Sequence, residues 1–489
     1  MELTSILNNI KVIQVVGEIS RQQIAGIHYD SRKVFNNCIF VAVKGFNTDG
    51  HKYISEAISN GAIAIVLEDN DAFPDDAITR QNVAKILVKN SREALAELSG
   101  SLFDEPSKKI KLVGVTGTNG KTTTTYFIKS IFETAGYKTG LIGTISNFIG
   151  EKEIVSSLTT PESNDLNFLL QEMHEQSCEY AVMEVSSHSL ALKRVHKLFF
   201  SSAVFTNLTQ DHLDFHQNFE EYLKSKKILF DNLDLSSSAI YNADDSSGIK
   251  ITADSKAKIF SYGCAESSDF RIIDIKFNLN GTYFSIVNKT KKYEVSTSLV
   301  GDFNAYNACA AFSTAALMGV RSDVILDGIK NTKPVPGRFE VLGKENKKVI
   351  VDYSHTPDSL EKALTAIRKI SGNKSPVYAV FGCGGNRDRT KRPLMGRIAS
   401  EIADKVIITS DNPRFEDPKL IIDEIKTGIS KNNYKVIDNR EDAIKNAIES
   451  SEDNAVILIA GKGHETYQEI KGVRNHFSDK EIAEKYLSE

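Results

Sequence analysis

The sequence of 489 residues has little cysteine: Cys38, Cys178, Cys264, Cys309 and Cys383 are scattered, with no CxxC pair. An odd number at such spacing argues against a disulfide framework or a cysteine zinc site and fits a reducing cytoplasm. No apolar run is long enough to cross a bilayer. The start, Met1 to Gln14, lacks the basic segment, apolar run and small-residue cleavage site of a secretory leader. There is no excess of either charge: 60 Lys and Arg stand against 64 Asp and Glu, a net charge of -4. Nucleic acid is therefore not the expected partner, and an anionic substrate must be met by local basic residues. Internal repeats and low-complexity tracts are also lacking.

What is there fits a globular chain of two to four domains, with 41% hydrophobic and 25% charged residues. Short strands are expected at Ile39–Val43, Ala62–Leu67 and Ala84–Val88. Ser91 is a candidate cap for a helix carrying Ala94, Leu95 and Leu98, which ends before Pro106 at a first linker. An apolar strand from Lys111 leads through a Gly-rich turn into a helix from about Lys121 to Ala135. Strands at Ala181–Val185, Ala203–Leu208 and Ala239–Asn242 then alternate with helices, as in a mostly parallel α/β sheet. Residues 270–300 alternate polar and apolar around Asn280-Gly281, which predicts an antiparallel flap packed on that core. A helix rich in alanine is expected from Ala305 to Met318, and a second linker at Thr332–Gly337. A third α/β unit follows, with strands at Val349–Val351, Val377–Phe381, Val406–Thr409 and Ala455–Ile459 and a helical face over Leu360–Ile370. Ligands bind at the carboxyl ends of such strands.

The turn Gly117, Thr118, Asn119, Gly120, Lys121, Thr122 carries the clearest chemistry. Backbone N–H groups of a strand-to-helix loop cradle phosphates, helped by the helix N-terminus. Lys121 is placed to bridge β- and γ-phosphates and the Thr122 hydroxyl to ligate Mg²⁺. Val115 stands where the longest form of this pattern has glycine, so the loop is a shortened variant. The alternative is a tight connection with no ligand.

With Asp30-Ser-Arg32, Thr159-Thr-Pro, Glu184-Val-Ser-Ser-His188, Asn207 to Asp214, Gly301-Asp-Phe-Asn304, Pro336 to Glu340, Asp352 to Pro357, Gly384 to Asp388, Asp411-Asn-Pro-Arg414 and Gly461 to Glu465 in order, the whole chain resembles the Mur ligase family, in particular its UDP-N-acetylmuramoyl-tripeptide synthetases. The resemblance implies an α/β fold in three domains. These are a UDP-binding domain at 1–105, a central ATP-binding domain at 106–335 with a P-loop-type mostly parallel sheet and antiparallel flap, and a Rossmann-like amino-acid-binding domain at 336–489. It implies a cytoplasmic, ADP-forming amide ligase, acting as a monomer with ATP and Mg²⁺. The muramoyl dipeptide's D-glutamate is phosphorylated, and an incoming amine displaces the phosphate.

By the same resemblance, Thr123 completes the nucleotide loop, and Asn304, Arg338, Asp352 and His355 surround the nucleotide. Asn304 is alternatively a helix cap, and Arg338 alternatively half of an ion pair. Glu184 and His212 ligate a second Mg²⁺. Lys226, flanked by Lys224 and Lys227 on an expected helix, falls on the family's lysine carbamylated by CO₂; read alone, all three are solvated charges. Carbamylation requires a neutral amine, hence a depressed pKa. Ser31 and Arg32, with Phe46 to Asp49, match the uridine-nucleotide region. Thr159, Thr160, Ser186 and Arg194 match the muramoyl-peptide site, while Leu192 replaces a glutamine found in some members.

Asp411, Asn412, Pro413 and Arg414 bear on the acceptor. Members that add meso-diaminopimelate carry Asn-Pro-Arg here. That substrate has a distal carboxylate which a guanidinium binds bidentately, and L-lysine has none. Arg387, Gly461 and Glu465 match the remaining acceptor contacts, Glu465 taking the distal ammonium. The alternative for Arg414 is a surface pair with Glu416 or Asp417. Competing readings are a folylpolyglutamate-type ligase, which would lack the Asp30 and Asp411 motifs, a nucleotide-binding module without amide chemistry, and a Ser-His hydrolase at Ser186-Ser187-His188. The last lacks a G-x-S-x-G elbow.

Overall fold

The computed structural model describes residues 2–19, 23–45, 48–343, 347–372 and 375–488. The chain divides into two compact units. One comprises Met1–Gly114 with Tyr137–Ser202, the other Val115–Gly136 with Ala203–Glu489. The cut passes through the strand Lys111–Thr116.

The first unit holds a five-stranded sheet in the order Val12–Val16, Ala84–Val88, Ala62–Leu67, Cys38–Val41, Gly26–His28. Only the first pair is antiparallel. Side chains alternate across a strand, and both faces are buried here. Ile39, Val41, Val66 and Ile86 pack against Leu3, Ile6, Leu95 and Leu98, whereas Cys38, Phe40, Ile65 and Leu67 pack against Ile54, Ala57 and Ile78. That two-sided burial explains why these strands read as continuous apolar runs. The helix Ser91–Leu102 is capped by Asn90, whose side chain accepts from Arg92 N and Glu93 N; Ser91, the expected cap, is its first residue. The same unit contains Tyr180–Glu184, parallel to Thr139–Ile142, and a meander of Ser146–Ile149 and Lys152–Val155 that the sequence reading missed.

In the second unit, Thr206 N donates to Thr116 O, so the end of the Lys111–Thr116 strand lies beside Ser202–Phe205. Ser238–Asn242, Lys258–Gly263 and Phe270–Asn278 continue the sheet in parallel, and Gly281–Asn288 and Lys291–Thr297 close it antiparallel. The expected flap is therefore an extension of the sheet edge rather than a layer packed on it. Asn278 pairs with Gly281, so the hairpin loop is Leu279-Asn280, one residue before the expected Asn-Gly turn. The Ala-rich helix runs Asp302–Leu317 and is buried nearly all round.

A six-stranded sheet in the same unit runs Glu340–Leu342, Lys348–Asp352, Val456–Ala460, Val377–Phe381, Lys405–Ile408, Tyr434–Val436, parallel except at the first pair. Its faces are again both buried: Ile350, Ala379, Phe381 and Leu458 on one side, Val351, Val380, Ile457 and Ile459 on the other. Arg440 is wholly buried and fork-bonded to Asp479, Nε to Oδ1 at 2.7 Å and Nη2 to Oδ2 at 2.8 Å. It also donates to Ala460 O and Ser410 O, tying two strand ends together. No helix is long and apolar enough to cross a membrane among the described residues.

A buried ion pair is costly to break from one side, because the survivor is left charged and unpaired. Asp479→Ala is expected to lower unfolding free energy by about 3–5 kcal/mol. The double variant Arg440→Met/Asp479→Leu should lose clearly less; urea unfolding of the three proteins measures the difference.

Candidate active site

The phosphate loop depends on two glycines. Gly117 (φ 151°) and Gly120 (φ 87°) lie in backbone regions that side chains rarely adopt. A Cβ on Gly117 would collide with the Thr206 hydroxyl, and one on Gly120 would lie 2.5 Å from Asn307 Oδ1. The loop is tied to the next strand end: Thr118 N donates to Asn207 O at 2.8 Å and Asn119 N to Asn207 Oδ1 at 2.9 Å. Thr118 Oγ1 meets the Tyr222 hydroxyl at 3.1 Å, and Thr123 is buried on the following helix. Lys121 folds back over the loop, its Nζ donating to Gly117 O (2.9 Å) and Thr118 O (2.8 Å).

Lys226 Nζ donates to the same Gly117 carbonyl at 2.8 Å and lies 4.6 Å from the centre of the Tyr222 ring. Its side chain is on the inner face of the helix Phe219–Asp231 and only 1% exposed. Lys224 is instead paired with Glu220 and Glu221, and Lys227 with Asp231 and Asp254. Burial first, and the nearby Lys121 ammonium second, hold the Lys226 amine well below its ordinary pKa. The amine that faces the loop therefore gives up its proton more readily than an exposed lysine does.

Arg338 reaches the loop from the segment after the second linker. Its Nη2 donates to Thr122 Oγ1 at 3.1 Å, and its guanidinium lies 4.5 Å over the Tyr353 ring. Its Nε is buried without a partner among the described residues, as suits a group awaiting an anion. Asn304 lies within the helix Asp302–Leu317 rather than capping it; its Nδ2 donates to Val300 O, and Asn307 Nδ2 donates to its Oδ1. The Asp352 carboxylate accepts from Phe339 N (2.6 Å) and Ser354 N (2.9 Å), and burial pushes its pKa up. His355 Nε2 and His212 Nε2 stand 3.7 and 3.3 Å from Asp211 Oδ2. Burial alone would raise the Asp211 carboxyl, but His212, His355 and Lys391 hold it well below the usual carboxylate range.

In the first unit, Glu184 ends its strand almost wholly buried. Oε1 accepts from Thr144 N at 2.8 Å and Oε2 from Thr144 Oγ1 at 3.0 Å. Thr159 Oγ1 lies 3.0 Å from the same Thr144 hydroxyl, and Thr160 Oγ1 donates to Glu184 O and accepts from Ser186 N. Ser186 caps the helix Ser187–Ala191 by accepting from Ser189 N, so Ser187 and His188 lie in its first turn. Arg194 Nη1 donates to Thr160 O and Nη2 pairs with Glu162 at 2.9 Å. Ser31 is buried with its hydroxyl on Glu56, while Arg32 is exposed and forked onto Asp30. Phe46 and Asn47 lie outside the described residues; Thr48 meets the Tyr53 hydroxyl and Asp49 accepts from His51 N.

The second unit also assembles the loops assigned to the acceptor. Arg414 N donates to Glu469 O and Lys471 N to Arg414 O, clamping Arg414 at φ 53°. This non-glycine strain, about 1 kcal/mol or more, persists because both flanking bonds enforce it. Arg414 Nη1 donates to Gly385 O at 2.7 Å, and no carboxylate pairs with its guanidinium among the described residues. Glu416 is bound by Arg392 and Asp417 caps the next helix, so neither forms the surface pair considered for Arg414. Asp411 accepts from Asn412 N, and Asn412 Nδ2 donates to Glu465 Oε2 at 2.8 Å. Gly385 N donates to Asn412 O, and a Cβ on Gly385 would collide with Pro413 O. Gly461 N donates to Asp352 O at 3.1 Å, while Arg387 is more open, its side chain bonded to Asn386 O. The hairpin Tyr467–Ile470 with Val473–His476, which clamps Arg414, and the buried Lys462 were not found in the sequence; the Lys471-Gly472 pair between Ile470 and Val473 was the available turn signal.

Residues 23–101 match the Mur ligase family, catalytic domain; residues 115–315 the Mur ligase middle domain; and residues 337–463 the Mur ligase, glutamate ligase domain. A UDP-N-acetylmuramoyl-L-alanyl-D-glutamate--2,6-diaminopimelate ligase of Clostridium botulinum is 45% identical over 477 residues, 96% of each chain. The chain belongs to the Mur ligase family. A second ligase of that name, from Phocaeicola vulgatus, is 44% identical over 99% of this chain and 98% of its own. A solved structure described by the same ligase name superposes with a TM-score of 0.70 at 31% identity, covering 100% of this chain and 99% of that one. Mur ligases form amide bonds at the expense of ATP, and this chain is such an enzyme.

In this Mur ligase, His464 packs 5.1 Å from the Tyr353 ring, and burial, then Arg338 and Lys462, lower its pKa to about 3. The unfolded chain binds a proton on this histidine below about pH 6.5 that the folded chain refuses until about pH 3. Stability from this group is thus full above pH 6.5 and falls as pH drops through that window, by up to about 1.4 kcal/mol per pH unit. His464→Gln should flatten the acid limb of a stability–pH curve by one proton.

Proposed function

We propose that this Mur ligase adds meso-diaminopimelate to the D-glutamate γ-carboxylate of UDP-N-acetylmuramoyl-L-Ala-D-Glu, in the cytoplasm, as a step of peptidoglycan precursor synthesis. The observation that carries the acceptor choice is Arg414: its guanidinium has a carbonyl partner and, among the described residues, no carboxylate, on a strand-end loop held in a strained conformation. A second carboxylate on the ligand satisfies that fork; the end of L-lysine does not. The names borne by the relatives agree with this choice. The three-domain plan, 1–105 for the uridine nucleotide, 106–335 for ATP and 336–489 for the amino acid, belongs to the same proposal, as does action as a monomer.

In the reaction, a γ-carboxylate oxygen attacks the γ-phosphorus of ATP and ADP leaves. The acceptor amine then attacks the acyl carbon, phosphate leaves with the bonding pair of the C–O bond, and the nitrogen loses a proton. The N–H groups of Gly120 to Thr123, beyond the two bonded to Asn207, hold the phosphates, and Lys121 exchanges its two carbonyl partners for phosphate oxygens. Arg338, whose buried Nε has no partner among the described residues, meets the same charge. Thr160, Ser186 and Arg194 orient the muramoyl peptide and Ser31 the nucleotide end. Asn304, Asp352 and His355 shape the rest of the ATP site. Within the second unit Mg²⁺ would be held by Thr122, His212 and carbamylated Lys226, and it would neutralise the transferring phosphoryl group; Glu184 keeps its part as a metal ligand from the family resemblance alone. The donor chemistry fits, being hydroxyl, carboxylate and imidazole with one buried amine of lowered pKa to take up CO₂.

Purified protein with ATP, Mg²⁺ and the muramoyl dipeptide should release phosphate and form the tripeptide with meso-diaminopimelate. L-Lysine should give little; turnover with lysine alone would make this the lysine-adding version of the ligase. Arg414→Ala should lower kcat/KM for diaminopimelate roughly 100-fold, with the KM for ATP little changed. Labelled bicarbonate should give a protein carbamate signal in ¹³C NMR that Lys226→Gln abolishes, together with a loss of activity of roughly 100- to 1000-fold. An unchanged spectrum in that variant would refute the carbamate assignment.

A further inference from the structure

Beneath the loops assigned to the acceptor, three side chains close a triangle. Lys462 Nζ, fully buried, donates to Asn412 Oδ1 at 3.1 Å and to Glu465 Oε2 at 3.0 Å. Asn412 Nδ2 donates to the same Glu465 Oε2 at 2.8 Å. Asn412 Oδ1 also accepts from Glu469 N at 3.0 Å. Two donors on Oδ1 and a carboxylate on Nδ2 leave only one orientation of the amide. The ammonium lies 5.4 Å from the Tyr467 ring centre as well. Both bonds to the Glu465 carboxylate fall on Oε2; among the described residues Oε1 receives none, and the side chain is 14% exposed.

A buried ammonium is tolerated only with such partners, so a structural ion pair is the plain alternative. The asymmetry of the carboxylate says more. Lys462 and Asn412 fix its rotation by two bonds to one oxygen and leave the other free. We propose that Lys462 is a positioning residue for the acceptor amino acid, locking Asn412 and Glu465 so that Glu465 Oε1 is presented to the distal ammonium of the substrate. This rests on the assignment of the Asp411–Arg414 and Gly461–Glu465 loops to the acceptor. Without Lys462, Glu465 keeps a single amide donor and turns freely, and Asn412 loses one of the two bonds that set its amide. The loss is felt by a ligand that carries the distal ammonium, not by ATP or the muramoyl dipeptide.

The test compares wild type, Lys462→Met, Lys462→Arg, Glu465→Gln and Lys462→Met/Glu465→Gln in steady-state assays varying each substrate. Lys462→Met should raise the KM for diaminopimelate about tenfold or more, while the KM values for ATP and the muramoyl dipeptide stay within about twofold. Lys462→Arg should restore part of the loss. It also carries the test if the methionine variant does not fold. The double variant should be no worse than Glu465→Gln, because Lys462 acts through that carboxylate. Discrimination against 2-aminopimelate, which lacks the distal amine, should shrink in Lys462→Met. Equal changes in all three KM values, a fall in kcat alone, or multiplicative losses in the double variant would overturn the proposal and leave Lys462 a structural cation. If wild type uses L-lysine instead of diaminopimelate, the acceptor reading fails by itself. The same comparison with L-lysine, which bears the same distal ammonium, still decides the role of Lys462.

Discussion

The carbonyl of Gly117 receives two ammonium groups, Lys121 from the following turn and Lys226 from a helix more than a hundred residues later. One neutral acceptor cannot compensate two cations, of which Lys226 is buried and Lys121 half-buried. Part of the repulsion is relieved by the lowered pKa of the more buried amine. The loop glycines permit this meeting, since their backbone angles turn the carbonyl inward and a side chain on either would strike Thr206 or Asn307. The Phe219–Asp231 helix buries Tyr222 and Lys226 together, and Arg338 arrives on the Thr122 hydroxyl. The loop is thus a crowded concentration of positive charge, ready for a polyanion.

The loops assigned to the acceptor follow a different principle. They are short, irregular segments at strand ends, and little apolar surface anchors them. Bonds to one another replace that anchor: Asn412 to Glu465, Asn412 to Glu469, Arg414 to Gly385, and Gln468 to Asp411. Arg392, fully buried, adds Glu416, Glu424 and Gly384 to the set. Bonds buried in this way make the arrangement rigid and sensitive to single substitutions, although Arg392 Nε has no partner among the described residues.

The sheets were largely legible in the sequence, because strands buried on both faces are written as unbroken apolar runs. Ala62–Leu67, Ala84–Val88 and Val377–Phe381 are found where those runs lie. The flap's alternation was visible too, but its attachment was not, since parallel pairing of Phe270 with Tyr262 leaves no trace in local pattern. The loop from Gly117 to Thr122 could be read because its spacing carries the chemistry. Lys226 could not be told from Lys224 and Lys227 by composition; only the helix face it occupies separates them, and burial is a tertiary fact. Lys462 was passed over for the same reason. A lysine between two glycines reads as solvated until the carboxylate and amide beneath it are seen.

The three-stranded extension ends in Lys291–Thr297, a strand with one neighbour and therefore one open row of backbone donors and acceptors. Such a row invites a strand from another molecule. Here Lys291, Lys292 and Glu294 project from it into solvent. An added strand would have to desolvate or displace these charges. The protein can thus carry a sheet that stops in open solution and still resist growth into an intermolecular assembly along that edge.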